Sequence, residues 1–193
     1  MTELISITAS LFTLGSGASY LRQVIKDEST PNPTSWIIWV VITVINTATY
    51  FSVVGNNFWL ALASGGTALT VLMIFITASF RGKFTKLNRI DLISLILTVA
   101  IGVFWRVSGN AIISNICLQI IFIISFYPTV HGLMVGNARE KPLPWFLASY
   151  SYILQILNVL LSTVTIWALV FPAVQLIGQG SIALLVYRQN KLK

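Results

Sequence analysis

The chain reads as an all-α integral membrane protein with seven transmembrane helices. Composition is the first observation behind that reading. Apolar residues make up 56% of the sequence, charged residues only 9%, and the mean hydropathy is +0.85. A soluble domain carries about 25% charged residues to cover its surface, and this chain has too few to do so in water. The second observation is the length of its apolar runs. The third is where the basic residues fall between them.

A bilayer core needs about 20 predominantly apolar residues per helix, with a range near 17–25. Seven runs answer to this, at roughly 4–22, 35–54, 57–80, 91–107, 110–130, 144–165 and 167–188. The first opens M-T-E-L-I-S-I-T without a basic flank, so it is expected to be a retained span despite the small residues Gly15-Ser16-Gly17-Ala18. The second and third are joined by Gly55-Asn56-Asn57, and the sixth and seventh by a similarly short link, which makes each pair an antiparallel hairpin. The fourth is the shortest and lies between Asp91 and Arg106; Asn88 or Asp91 is expected to cap its start. The fifth contains Cys117, the single cysteine, which excludes an intrachain disulfide and is expected to be a small packing residue.

Threading these spans places Arg22, Lys26, Arg81, Lys83, Lys86, Arg89, Arg139, Lys141, Arg188, Lys191 and Lys193 on one side of the membrane. Of the 12 basic residues only Arg106 falls on the other. The positive-inside rule makes the crowded side cytoplasmic, so the N-terminus is expected outside and the C-terminus inside. The same distribution accounts for the net charge of +7 without a nucleic-acid partner.

A repeat runs through this plan. The segment Tyr127–Trp145 (Y-P-T-V-H-G-L-M-V-G-N-A-R-E-K-P-L-P-W) has a weaker echo in Tyr20–Trp36 (Y-L-R-Q-V-I-K-D-E-S-T-P-N-P-T-S-W). Each leaves an apolar run at a Tyr, crosses a charged loop, passes two prolines one residue apart and enters the next run at a Trp. A shift of 109 residues brings Pro33 onto Pro142 and Trp36 onto Trp145, while 107 brings Tyr20 onto Tyr127 and Arg81 onto Arg188. Spans one to three thus correspond to spans five to seven. Three is odd, so a tandem copy would insert upside down unless a single span restored its direction. The expected plan is 3+1+3: residues 1–90, a linker span at 91–108, and residues 109–193, with a pseudo-two-fold axis along the membrane normal.

In these features the chain resembles the SWEET/PQ-loop (MtN3-like) superfamily of seven-helix carriers, most closely its bacterial members. Tyr127-Pro128-Thr129 stands where PQ-loop proteins have their Pro-Gln pair, and Leu21-Arg22-Gln23 occupies the matching place in the first half. Trp105–Gly109, Pro128-Thr129 and Pro142–Trp145 are similar to the W-x-x-x-G, Pro-Thr and P-x-x-W features of the bacterial proteins. Phe171-Pro172-Ala173 followed by Tyr187-Arg188 resembles the end of a SWEET carrier. The resemblance implies a facilitator in a cell membrane, expected to be a bacterial inner membrane. It does not carry over hexose recognition, because Ala173 and Gly66 stand where the sugar-binding Asn pair would be.

Uncharged polar residues at mid-depth are the candidates for a solute site: Asn46, Thr67, Asn115, Gln119, Gln155, Asn158, Gln175 and Gln179, with Thr49, Ser64 and Thr70 beside them. Amides both donate and accept, which suits a small polar, uncharged solute; hydrogen bonds holding the helices together are the competing use. All five acids, Glu3, Asp27, Glu28, Asp91 and Glu140, fall at span ends or in loops. Ion-driven carriers keep an ionisable group within the membrane, so passive uniport is the expectation. His131 is expected at the interface. Every lysine lies in a loop or tail, which excludes a retinal Schiff base in the last span. Pro128 and Pro172 interrupt helical hydrogen bonding and are the hinge candidates for rocking one half against the other.

Trp36, Trp59, Trp145 and Trp167 near span ends read as an aromatic belt, and Gly132/Gly136 and Ala61/Gly65 as close-packing pairs. No metal-ligand cluster, paired intramembrane carboxylates or nucleophile–base spacing is present, so no enzyme, metal or cofactor is expected. The partners expected are the solute and the lipid bilayer, and a homo-oligomer is compatible with the reading. A receptor, scaffold or assembly subunit of the same fold is the alternative to a carrier.

Overall fold

The computed structural model describes residues 1–29, 31, 33–81, 89–134 and 140–191. They form seven helices: α1 (Thr2–Ile25), α2 (Pro33–Val53), α3 (Phe58–Arg81), α4 (Arg89–Ser108), α5 (Ala111–Met134), α6 (Pro142–Leu160) and α7 (Val170–Lys191). A 3-10 turn, Ile166–Leu169, leads into α7. Six of the helices are long and apolar enough to cross a membrane, and α4 adds a shorter apolar stretch, Leu92–Ser108. The chain is a multi-pass membrane protein.

Hydrocarbon offers no partner to a peptide group, so each span must close its own hydrogen bonds. Hydroxyls inside the spans do the same. Thr8 donates to the Leu4 carbonyl at 2.8 Å, Thr77 to Met73 at 2.9 Å and Ser79 to Phe75 at 2.8 Å, which hides each hydroxyl from lipid. The outward faces are apolar: Leu4, Leu11, Ile96, Val103, Ile120 and Ile177 are exposed. Such a surface would aggregate in water and is what a bilayer requires.

The short links form as their residues dictate. Between α2 and α3, Gly55 and Asn56 take φ values of 68° and 59°, the left-handed region that Gly and Asn enter most readily. Asn57 then caps α3 through its side-chain oxygen, which accepts the Leu60 N–H at 3.2 Å. Asn110 caps α5 in the same way, accepting from Ile113 at 3.1 Å. Two boundaries differ from the sequence expectation. Helix α6 stops at Leu160 instead of near residue 165, because the β-branched run Thr163-Val164-Thr165 disfavours helix. The Ser162 hydroxyl satisfies the Asn158 carbonyl at 2.7 Å where the helix ends. Asp91 is the third residue of α4 and not its cap; Asn88, the other candidate, lies outside the described residues.

Helix α3 packs against both α1 and α2, and α7 packs against both α5 and α6. Across the middle, α1 meets α6 and α2 meets α5, while α4 leans on α5 and α2 from outside. Two glycines permit the tightest approaches. A Cβ on Gly17 of α1 would lie 2.4 Å from the Thr70 methyl of α3, and one on Gly178 of α7 would lie 2.2 Å from the Phe126 ring of α5. Neither glycine belongs to a sequence-predicted pair. A Cβ on Gly65 would meet nothing within 4 Å. Gly136 lies outside the described residues, as does the packing around Gly132.

Candidate functional site: a cavity between six helices

Every helix except α4 contributes to a cavity of about 320 Å³. Its deeper part is lined by Asn46, Thr47, Ser64, Thr67, Tyr152, Phe171 and Gln175, and its walls by Trp39, Thr70, Phe122, Phe126, Thr129 and Gln179. Beyond Phe171 the bundle is packed shut. Tyr50, Val54, Leu60, Val159 and Ala168 form a buried cluster with Phe171 and Tyr152, and Tyr50 donates its hydroxyl to the Ala168 carbonyl at 3.3 Å. The space therefore belongs to the half of the bundle that contains the α1–α2 and α5–α6 links. That half also carries Arg22, Lys26 and Lys141.

At this end the two echoed segments meet. Tyr20 Oη donates to Glu140 Oε1 at 2.9 Å. The Ser29 hydroxyl lies 3.1 Å from each of those oxygens and can donate to only one at a time. The Tyr20 ring packs on Trp36 at 5.2 Å and edge-on to Trp145 at 6.2 Å. Lys141 pairs with Glu28 at 2.7 Å just outside, and Ser16 donates to the Pro144 carbonyl at 2.8 Å. The repeated pattern of Tyr, charged loop and Trp thus builds one wall from two distant stretches of chain. Trp36 and Trp145, both half-buried, line the cavity, whereas Trp59 and Trp167 are exposed.

Glu140 changes the electrostatics of this space. It lies in the link before α6, yet its side chain lines the cavity and is the only charged group among the described lining residues. Burial pushes its carboxyl up to about 7, against the opposing hydrogen bonds from Tyr20 and Ser29. The Trp145 indole N–H also faces the carboxylate and lowers its pKa without reaching hydrogen-bond geometry. Glu140 Oε2, Trp145 Nε1 and Gln175 Nε2 are all buried with no partner among the described residues.

Four of the eight candidate residues border the cavity: Asn46, Thr67, Gln175 and Gln179. The other four lie between helices. Asn46 Oδ1 accepts from Asn115 Nδ2 at 3.1 Å and from Gln119 Nε2 at 2.9 Å, and Asn115 also donates to Thr49 at 3.1 Å. That cluster joins α2 to α5. Asn158 donates to Ser6 at 2.6 Å, and Gln155 to Ser151 at 3.2 Å. Ser151 in turn donates to the Ala9 carbonyl at 2.8 Å and sits 2.7 Å from the Thr13 hydroxyl, which joins α1 to α6. Both seams between the halves are polar.

Of the hinge candidates, Pro128 lies inside α5, where its missing N–H deprives the Ile124 carbonyl of a donor; its side chain is outside the described residues. Pro172 is the third residue of α7, within the first turn, where the helix needs no N–H from it. It removes no bond from the interior of α7. His131 is exposed and stacks on Tyr127 at 5.6 Å, away from the cavity. Sequence reasoning missed Glu140, Tyr20 and Ser29, because their loop and span-end positions say nothing about which way they reach.

Comparison with protein-family models, with curated proteins and with solved structures finds no match.

Proposed function

We propose that the chain is a membrane carrier with a SWEET-like 3+1+3 arrangement that moves a small polar solute by alternating access. The observation that carries this reading is the cavity itself: it is bordered by all six long helices, holds unpartnered polar atoms, and is closed at one end by apolar packing. Pockets of about 300–1,000 Å³ with a few convergent polar groups are the usual form of a small-molecule site.

The pattern of helix contacts supports the repeat. Exchanging α1, α2 and α3 for α5, α6 and α7 turns the α1–α3 and α2–α3 contacts into α5–α7 and α6–α7, and turns α1–α6 into α5–α2. All of these contacts are present. Residues 1–90 and 109–193 are the two halves in this reading, with α4 the linker and the N-terminus outside. Rocking the halves about the α1–α6 and α2–α5 seams would open the packed end and close the other.

The polar bonding in those seams favours a second reading. Asn115, Gln119, Gln155 and Asn158 are engaged between helices, as a scaffold or assembly subunit would use them. Uptake into proteoliposomes separates the two. The carrier predicts that Gln175→Leu and Gln179→Leu lower the flux of a transported solute while the protein stays folded; a solute panel with no flux in any member sinks it. Uniport predicts that flux survives dissipation of the proton and sodium gradients, and its collapse would assign coupling to the cavity carboxylate.

A further inference from the structure

We propose that the cavity selects a small organic cation, whose ammonium group sits against Glu140 within the ring wall of Tyr20, Trp36 and Trp145. This rests on the cavity being a solute site and adds the sign of the charge to it.

Three features on independent elements converge on this. The Glu140 side chain lines the cavity; its Oε1 is held by Tyr20, while Oε2 is buried and has no partner among the described residues. A buried carboxylate without a counter-charge is costly, and a cationic ligand removes that cost. Around it stand three aromatic rings, Trp36 and Trp145 lying 5.2 Å and 6.2 Å from the Tyr20 ring; ring faces attract ammonium groups through the quadrupole. No cationic side chain competes among the described lining residues, and the nearby Lys141 is already paired with Glu28 at 2.7 Å. Deeper in, Gln175 is 2% exposed and its Nε2 has no acceptor among the described residues. It suits a hydroxyl or carbonyl oxygen at the other end of the same solute.

The test uses purified full-length protein in detergent at pH 8, with equilibrium binding read from tryptophan fluorescence. The probes are two cations, choline and ethanolamine, each beside its uncharged carbon counterpart, 3,3-dimethylbutan-1-ol and propan-1-ol. At least one cation binds about tenfold or more tightly than its counterpart, the size expected of one charged contact. Glu140→Gln, which keeps the shape and the acceptor for Tyr20, removes that preference. If neither cation outbinds its counterpart in the wild type, the proposal fails whether or not the variant folds. It fails equally if Glu140→Gln keeps the preference. Binding without flux in proteoliposomes would sink the carrier and leave the cation site standing. Flux of neutral solutes with no cation preference would do the reverse.

Discussion

Tyr20 Oη and Glu140 Oε1 lie 2.9 Å apart across 120 residues of sequence, joining the two halves of the chain where their repeated segments meet. Each residue alone is unremarkable in the sequence: one closes the first span, the other sits in a basic loop. Together with Ser29, Trp36 and Trp145 they make the end wall of the cavity and place the one charge among its described lining residues.

The Glu140 carboxyl should make folding depend on pH. Its pKa in the folded protein is about 7, above the ordinary 4.5, so between those values the folded state holds more protons than the unfolded one. Stability is then greatest below about pH 4.5 and declines as pH rises towards 7. Thermal unfolding in detergent across this range should show that decline in the wild type and a flatter profile in Glu140→Gln. Equal slopes in both would remove Glu140 as the cause.

Tyr20→Phe deletes one donor to the carboxylate without emptying the ring wall. A hydrogen bond to a charged group contributes about 1.5–3 kcal/mol, so the Glu140 pKa should rise further. Cation binding, which requires the ionised carboxylate, should then appear at higher pH than in the wild type. The neighbouring titratable groups, Glu28 and Lys141, are paired with each other outside the cavity and are unchanged in this variant. A binding-versus-pH curve measured with choline and ethanolamine checks the direction.

Gly17→Ala and Gly178→Ala introduce a Cβ at 2.4 Å from Thr70 and 2.2 Å from Phe126. Overpacking of this kind costs about 1–3 kcal/mol, so both should melt at lower temperature. Gly178→Ala should cost more, since a ring held in a core yields less than a threonine methyl. Gly65→Ala, which meets nothing within 4 Å, is the control and should melt like the wild type.

Asn158→Leu and Gln175→Leu should differ in kind. Asn158 bonds Ser6 between α6 and α1 at 2.6 Å, and its loss should lower stability by about 0.6 kcal/mol or somewhat more, as for other hydrogen bonds between membrane helices. Gln175 lines the cavity and its Nε2 has no acceptor among the described residues, so its loss should weaken solute binding and leave melting nearly unchanged. The pair is read by melting temperature and fluorescence titration on the same preparations.

Much of the architecture was legible because the bilayer imposes it. Span length and apolarity locate the helices, and Gly55-Asn56 and Asn110 mark turns by their backbone and capping chemistry. The end of α6 is harder to read, because Ser162 to Thr165 continue without a charge, Pro or Gly and only β-branching argues for a stop. Polarity and depth single out the solute-site candidates. Depth does not say which face a side chain takes, so Asn115, Gln119, Gln155 and Asn158 turned out to lie between helices. Glu140 is hard to find for the converse reason: a loop position does not reveal that a side chain turns back into the bundle. The two prolines and Trp145 that follow it set the direction in which the chain re-enters the bundle.

The central claim is that this cavity is a pathway reachable from both sides of the membrane. It is tested without knowing the solute by placing one thiol, Thr67→Cys, in a Cys117→Ser background, since Cys117 is the only native cysteine. A membrane-impermeant cationic methanethiosulfonate is then applied to right-side-out and inside-out vesicles. Alternating access predicts labelling of residue 67 from both sides. Labelling from one side only, or from neither, at any exposure time would contradict it.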